Sequence, residues 1–384
     1  MPTAFRLHAG RLALLAAGGL ALFAGLWTGL SRAGLVTGGG LSAHHGPLLV
    51  LGFLGTLIAL ERAVGFRVRW GYLTPAASAG AVVWLLVGGP PVVSGALFAV
   101  AGATVAVLFG HHGRAHPQPH LVLLAGGALA WALAAGLWAT GASPVRLTPL
   151  LAAFLVLTIL GERLELSRLR LPAAASIRRG LAAAGVFGVG AVVAWAVPAA
   201  GLVVAGVGLV AATGWFVRHD LARVTIRQAG LPRFAAACML AGYAWLGTGG
   251  LLWVALGLEV GGPLVRDAAV HAIFLGFVLS MVMGHAPIIL PAVLRVALPY
   301  RSVAWVPLVL LHATVALRVA ADMAGSTWGR GVASAGNVAA VVLFVAVSVG
   351  AAVHARLTAS SSRSPAGMPV GAGTRPTTEG GTRL

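Results

Sequence analysis

Twelve runs of about twenty apolar residues follow one another from residue 12 to residue 355, with little chain left between them. An α-helix rises 1.5 Å per residue, so roughly 20 residues cross a hydrocarbon core of about 30 Å. The chain is therefore expected to be an all-α polytopic membrane helical bundle of about twelve transmembrane helices. The spans fall at 12–30, 42–63, 71–88, 92–110, 121–140, 147–162, 180–197, 199–217, 234–256, 267–287, 302–321 and 333–355. Pro198 alone separates the seventh from the eighth. The bundle is assigned to residues 1–358. The segment 359–384, rich in Ser, Gly, Pro and Thr, reads as a disordered cytoplasmic tail.

Charge is scarce. Only 9% of the 384 residues are charged, whereas a soluble domain carries about 25%. All 26 basic residues are arginine, against 8 acidic ones, for a net charge of +18. The arginines are spread a few per loop and form no run, which argues against nucleic acid and for a topological role beside a lipid bilayer. With the N-terminus in the cytoplasm, only Arg32, Arg146, Arg266, Arg318 and Arg330 of the 26 face outward. That asymmetry puts both termini in the cytoplasm and requires an even number of spans. The single cysteine, Cys238, excludes a disulfide within the chain and reads as a small packing residue.

Against this background the 12 histidines stand out. Histidine at membrane depth needs a partner, a metal or a cofactor. His44 and His45 open the second span, His271 lies about one turn inside the tenth, and His312 lies near the middle of the eleventh. With Asn337 on the twelfth, these form an outer set. Imidazole suits iron, copper or zinc, and histidines from facing helices are a usual way for a bundle to hold haem. At the other end, Glu61 and Arg62 close the second span and His285 lies at similar depth on the tenth. Glu61 and His285 make a candidate proton-linked pair, with an interfacial Glu61–Arg62 pair as the plainer reading. The 14 residues between His271 and His285 are close to four turns, so the two are expected on one helix face about 21 Å apart. Met281 and Met283 flank His285 as soft ligands or as core. The loop run HHGRAHPQPH at 111–120 has the composition of a metal tract but no fixed spacing.

Three segments carry a family resemblance. The run HHGPLLVLGFLGTLIALERAV (44–64) resembles the second span of NnrS proteins, and LHAGRLALLAAGGLALFAGLWTGL (7–30) is similar to their first. HAIFLGFVLSMVMGHAPIILP (271–291) is similar to their late His-Ala span, although the family's Gly-His-Thr-Gly-Arg ending stands here as GHAPIILPAVLR with Arg295 displaced. The resemblance implies a twelve-span bacterial inner-membrane protein that holds haem and copper and acts in nitric oxide response or nitrosative-stress protection. Its layout is broadly similar to the catalytic subunit of haem–copper oxidases. On this reading His44, His45, His271 and His312 bind haem, and Arg32 and Arg318 balance its propionates. Any metal would take its ligands from His44, His45, His271 and His285. No catalytic residue is singled out.

Two other readings compete. One is a proton-coupled small-molecule transporter, in which Pro287, Pro291 and Pro299 break the tenth helix beside His285. The other is a membrane scaffold without a ligand. No Walker, zincin or nucleophile-elbow motif stands in a usable context.

Overall fold

The computed structural model describes residues 2–167, 173–294 and 297–361. Among these residues helix is the only regular secondary structure, and there is no strand. The helices are α1 (Pro2–Arg32), α2 (Gly39–Phe66), α3 (Leu73–Leu86), α4 (Pro91–Ala115), α5 (Pro119–Ala139) and α6 (Pro144–Ser167). They continue with α7 (Ala174–Ala196), α8 (Pro198–His219), α9 (Leu231–Gly257), α10 (263–294), α11 (Ser302–Met323) and α12 (Thr327–Ser361). All but α3 are long and apolar enough to cross a membrane, so the chain is a multi-pass membrane protein.

The third span is shorter than its sequence suggests. Its 14 α-helical residues rise about 21 Å, and the tight turn Arg69–Tyr72 before it adds about 8 Å. It is stitched to its neighbours by buried hydroxyls. The Thr56 and Ser78 oxygens lie 2.8 Å apart, Ser78 donates to the Leu51 carbonyl (3.1 Å), and Ser94 donates to that of Ala81 (2.9 Å).

Small residues set the helix spacing. Lipid is as apolar as leucine, so membrane helices associate through close van der Waals packing, which glycine permits. The α7–α8 hairpin is the clearest case. A Cβ at Gly190, Gly201 or Gly208 would collide with the backbone of Ala205, Ala194 or Phe187 respectively. These contacts climb one helix as they descend the other, so Pro198 separates two antiparallel spans. Helix α6 is the most enclosed, with 72% of its apolar stretch buried, and α12 the least, at 17%; Arg163 on α6 is accordingly buried in protein.

Two buried cores divide the bundle. The larger is built on α2 to α10 around Trp131, Phe154, Phe187, Trp253 and Phe277. The smaller joins α1, α9, α10, α11 and α12 around Phe234, Cys238, Met283, Leu311 and Val341. Helix α10 contributes to both.

Helices α2 and α10 are not regular. Each contains a π-helical stretch, Leu48–Leu54 in α2 and Ala272–Leu279 in α10. A π-turn closes i→i+5 bonds and is wider than an α-turn. The 14 residues between His271 and His285 are thus not four α-turns, and the two histidines meet different helices. The prolines of α10 also act differently from expectation: Pro287 and Pro291 lie inside the helix Ser280–Leu294. Proline removes one N–H and kinks a helix without having to end it. The helix runs to Leu294, and Arg295 lies outside the described residues. At the C-terminus α12 runs on to Ser361, three residues into the segment read as a tail, and the rest of that tail lies outside the described residues.

Replacing Gly201 with Val should separate α7 from α8 and cost about 2–3 kcal/mol, the upper range for overpacking, because the obstacle is backbone. Gly185→Ala, where nothing lies within 4 Å of the added carbon, should be near neutral. Thermal unfolding of the two variants in detergent checks the difference.

Candidate functional site

Polar side chains inside the bundle gather at three levels. At the end carrying His45, expected from the arginine distribution to be the outer one, an ionic network joins α10, α11 and α12. Asp267 sits in the second turn of α10, and both Nε (2.8 Å) and one terminal nitrogen (2.6 Å) of Arg318 donate to its Oδ2. The other terminal nitrogen of Arg318 donates to Ser334 on α12. One turn along α11, Asp322 lies 3.5 Å from Arg318 and 2.9 Å from Arg330, with its side chain fully shielded. Two carboxylates and two guanidinium groups balance to zero. That balance is required, because a lone charge at this depth costs several kcal/mol.

Two histidines border the network. His45 Nδ1 lies 2.7 Å from the Gly25 carbonyl, and His271 Nδ1 lies 2.8 Å from the Asp267 carbonyl, with the Asp267 carboxylate 3.4 Å away. A carbonyl only accepts, so in both rings Nδ1 carries the proton and Nε2 keeps its lone pair. Gly29 makes room for His45, since a Cβ there would stand 2.7 Å from the ring. His45 lies within electrostatic reach of His271, Arg32 and Asp267. Each histidine stands just before the π-helical stretch of its helix, and each stretch contains a Leu-Gly-Phe step, 51–53 and 275–277. π-turns recur at functional sites.

The other members of the expected outer set are employed elsewhere. His44 packs edge-on against Trp138 of α5, with ring centroids 5.6 Å apart, and its buried Nδ1 has no hydrogen-bond partner. Trp245 donates to His312 Nδ1 (2.9 Å), so the His312 proton is on Nε2, which faces Ser280 Oγ at 3.2 Å; Ser280 in turn donates to the Cys238 carbonyl (2.7 Å). Both nitrogens of His312 are spent in this relay, and Gly276 provides the space that Trp245 occupies. Arg318 is held by Asp267 and Ser334, which leaves Arg32 as the arginine beside His45. Asn337 accepts from Thr314 (2.7 Å) and ties α12 to α11.

At the inner level the structure does not join Glu61 to His285. Glu61 lies 3.6 Å from Arg62, which is bound to Glu162 of α6. His285 Nδ1 donates to the Met281 carbonyl (2.6 Å), and its Nε2 accepts from Arg163 (2.7 Å). Arg163 also contacts the Met239 sulfur at 3.0 Å and is only 5% exposed, so this arginine is a buried group and not a loop charge. Tyr243 donates to Asp220 at 2.6 Å nearby. Met281 and Met283 are core. The run 111–120, read from sequence as a loop, is mostly helix: His111 and His112 lie in the last turns of α4, where His112 packs on Phe66, and His120 opens α5, buried 3.7 Å from Glu165. His219 lies flat on Trp215 and bonds Ser176. Among the described residues no cluster of three or more His, Cys, Asp or Glu side chains is arranged to hold a metal ion.

Asp267, Asp322, Glu162, Arg163, Asp220 and Tyr243 are the polar residues that sequence reading passed over. A signal for some of them was present: acids are few, and Asp267–His271 and Arg318–Asp322 both stand at i,i+4, the spacing that brings side chains together on one helix face.

Arg318→Met strands two carboxylates beside one remaining guanidinium and should destabilise the bundle by about 3–5 kcal/mol. Adding Asp267→Asn should recover part of that loss. Thermal unfolding of the single and double variants in detergent checks the sign of the coupling.

Searches of curated proteins and of solved structures returned no match to this chain. The family model described as "Domain of unknown function (DUF8744)" matches residues 11–353, almost the whole bundle, and the chain belongs to that family.

Proposed function

We propose that this chain is an integral membrane haem-binding protein of the bacterial cytoplasmic membrane, with both termini in the cytoplasm, that acts in nitric oxide response. The observation that carries the reading is the shared protonation of His45 and His271. Each ring is fixed through Nδ1–H to a backbone carbonyl, and each presents a bare Nε2 lone pair at the same end of the bundle. Ligating histidines are typically oriented in this way by the hydrogen bond at the other nitrogen. The donor set fits haem iron, and Arg32, within electrostatic reach of His45, would balance a propionate.

When bound, haem supplies an iron that takes nitric oxide and changes oxidation state. The chain's part is to hold two imidazoles in one tautomer, to keep the neighbouring charges balanced and to exclude water. The Gly25 carbonyl orients His45, and Asp267 orients His271 through both its carbonyl and its carboxylate. Copper is the second candidate for the same nitrogens, since imidazole suits both metals. The transporter reading draws instead on the proline-rich stretch beside His285, where Pro287 and Pro291 lie inside the helix.

Detergent-purified protein is expected to show a Soret band that shifts on adding nitric oxide. His45→Ala and His271→Ala should each lower the haem-to-protein ratio by more than half, while His44→Ala and His312→Ala should retain it. Metal analysis of the same preparation separates iron from copper. Full haem content in both His45→Ala and His271→Ala, or no Soret band in the unaltered protein, would sink the reading.

A further inference from the structure

The His-rich run 111–120 takes no part in the haem reading, and the fold sorts its histidines. His112 and His116 stand four residues apart at the end of α4, the spacing that brings two side chains onto one helix face. Their ring centroids lie 5.3 Å apart, with the ring planes tilted by 53°. Phe66 of α2 packs against His112, centroid to centroid at 5.1 Å, and steadies that ring from one side. His112 is partly buried and His116 is exposed, so the pair opens to solvent. The other two histidines of the run stand apart from it. His111 is rotated about 100° around the helix from His112, and His120 is buried beside Glu165.

The pair has the dimensions of a two-imidazole chelate. A tetrahedral ion about 2.05 Å from one nitrogen of each ring sets the ring centroids about 5.2 Å apart, which is close to their separation here. Among the described residues no hydrogen bond engages either ring, in contrast to His285 and His312. The local field suits a cation. His116 is the C-cap of α4, where the last carbonyls present the negative end of the helix dipole. Arg62, which lines the same cleft as His112, is already matched by Glu61 and Glu162. Arg114 stands two residues from each histidine and so lies on another face of the helix. Imidazole favours zinc, copper or nickel over the hard ions magnesium and calcium. Two protein ligands leave the remaining positions to water, the form of an exchangeable site and not of a closed structural one.

We propose that His112 and His116 form an exchangeable site for a divalent transition-metal ion at the inner end of α4, held through one nitrogen of each imidazole. Full-length protein in nanodiscs, titrated with Cu²⁺ and read by pulsed EPR, tests it. One bound equivalent is expected to show coupling to two imidazole nitrogens. His112→Ala and His116→Ala should each weaken that equivalent by about tenfold or more, as the loss of one of two protein ligands requires, and leave coupling to a single nitrogen. His111→Ala should change neither quantity. His116→Ala combined with Gly113→His keeps the number of histidines but removes the four-residue spacing, and should not restore the site; a Cβ at Gly113 meets only Leu121 Cδ1, at 3.7 Å. The equivalent should persist in the His45→Ala, His271→Ala double variant, so the failure of this proposal and that of the haem reading are told apart. Unchanged binding in both His112→Ala and His116→Ala would overturn the proposal. Equal weakening by His111→Ala, or full two-nitrogen binding in the respaced variant, would overturn it too, by assigning the copper to histidine content and not to geometry. Loss of the equivalent in the double variant would assign it to the outer pair.

Discussion

A charge removed from water must be matched, and that constraint organises the interior of this bundle. Apolar helices slide past one another at little cost, because lipid and leucine are equivalent neighbours. Ionic contacts do not permit such sliding. Asp267 binds Arg318, and Asp322 lies between Arg318 and Arg330, so α10, α11 and α12 are held in one register at the outer end. Arg62 and Glu162 do the same for α2 and α6 at the inner end. Arg163 is the exception: its described partners are an imidazole and a thioether, both neutral. A guanidinium held so weakly, on the most enclosed helix, is tolerable only because the surrounding carboxylates act on it at longer range.

The same accounting separates the histidines. An imidazole has two nitrogens, and the partner at one dictates the role of the other. His312 accepts a hydrogen bond from Trp245 and faces Ser280, while His285 donates one to a carbonyl and accepts one from Arg163; neither ring has a nitrogen to spare. His45 and His271 differ because only the first nitrogen is occupied. Four histidines at membrane depth look alike in a sequence and divide two and two once their partners are known.

What the sequence conveyed depended on range. The apolar runs specify helices because a backbone in lipid has no other way to satisfy its own polar groups, and eleven of the twelve runs became spans of the expected length. The break at Pro198 was legible because proline suits the first turn of a helix. The inner pairing of Glu61 with His285 rested on equal depth, and depth says nothing about which face a residue occupies. The expected alignment of His271 with His285 assumed 3.6 residues per turn throughout, and eight π-helical residues between them remove that premise. Counting Arg163, Arg318 and Arg330 as loop charges served the topology argument and concealed their partners. An arginine at a helix end has the same spacing signature whether it faces water or a buried acid.

The two π-helical stretches connect these levels. In α2, Gly52 lies against Ala21 of α1 and Val82 of α3, with a substituted carbon 3.0 Å from each. In α10, Gly276 receives the indole of Trp245 from α9. In both helices the widened turn contains a glycine against which a neighbouring helix packs, and in both a histidine whose ring is tied to a carbonyl precedes the stretch, His271 directly and His45 by three residues. An α-helical register could not hold the histidine and the glycine in the same relation, since regular turns would rotate one away from the neighbour that the other meets. Widening the turn lets a single helix pack tightly on one side and still present an imidazole at its outer end. The irregularity is therefore coupled to the site: restoring a regular helix in either place would rotate the histidine relative to the glycine contact that positions its helix.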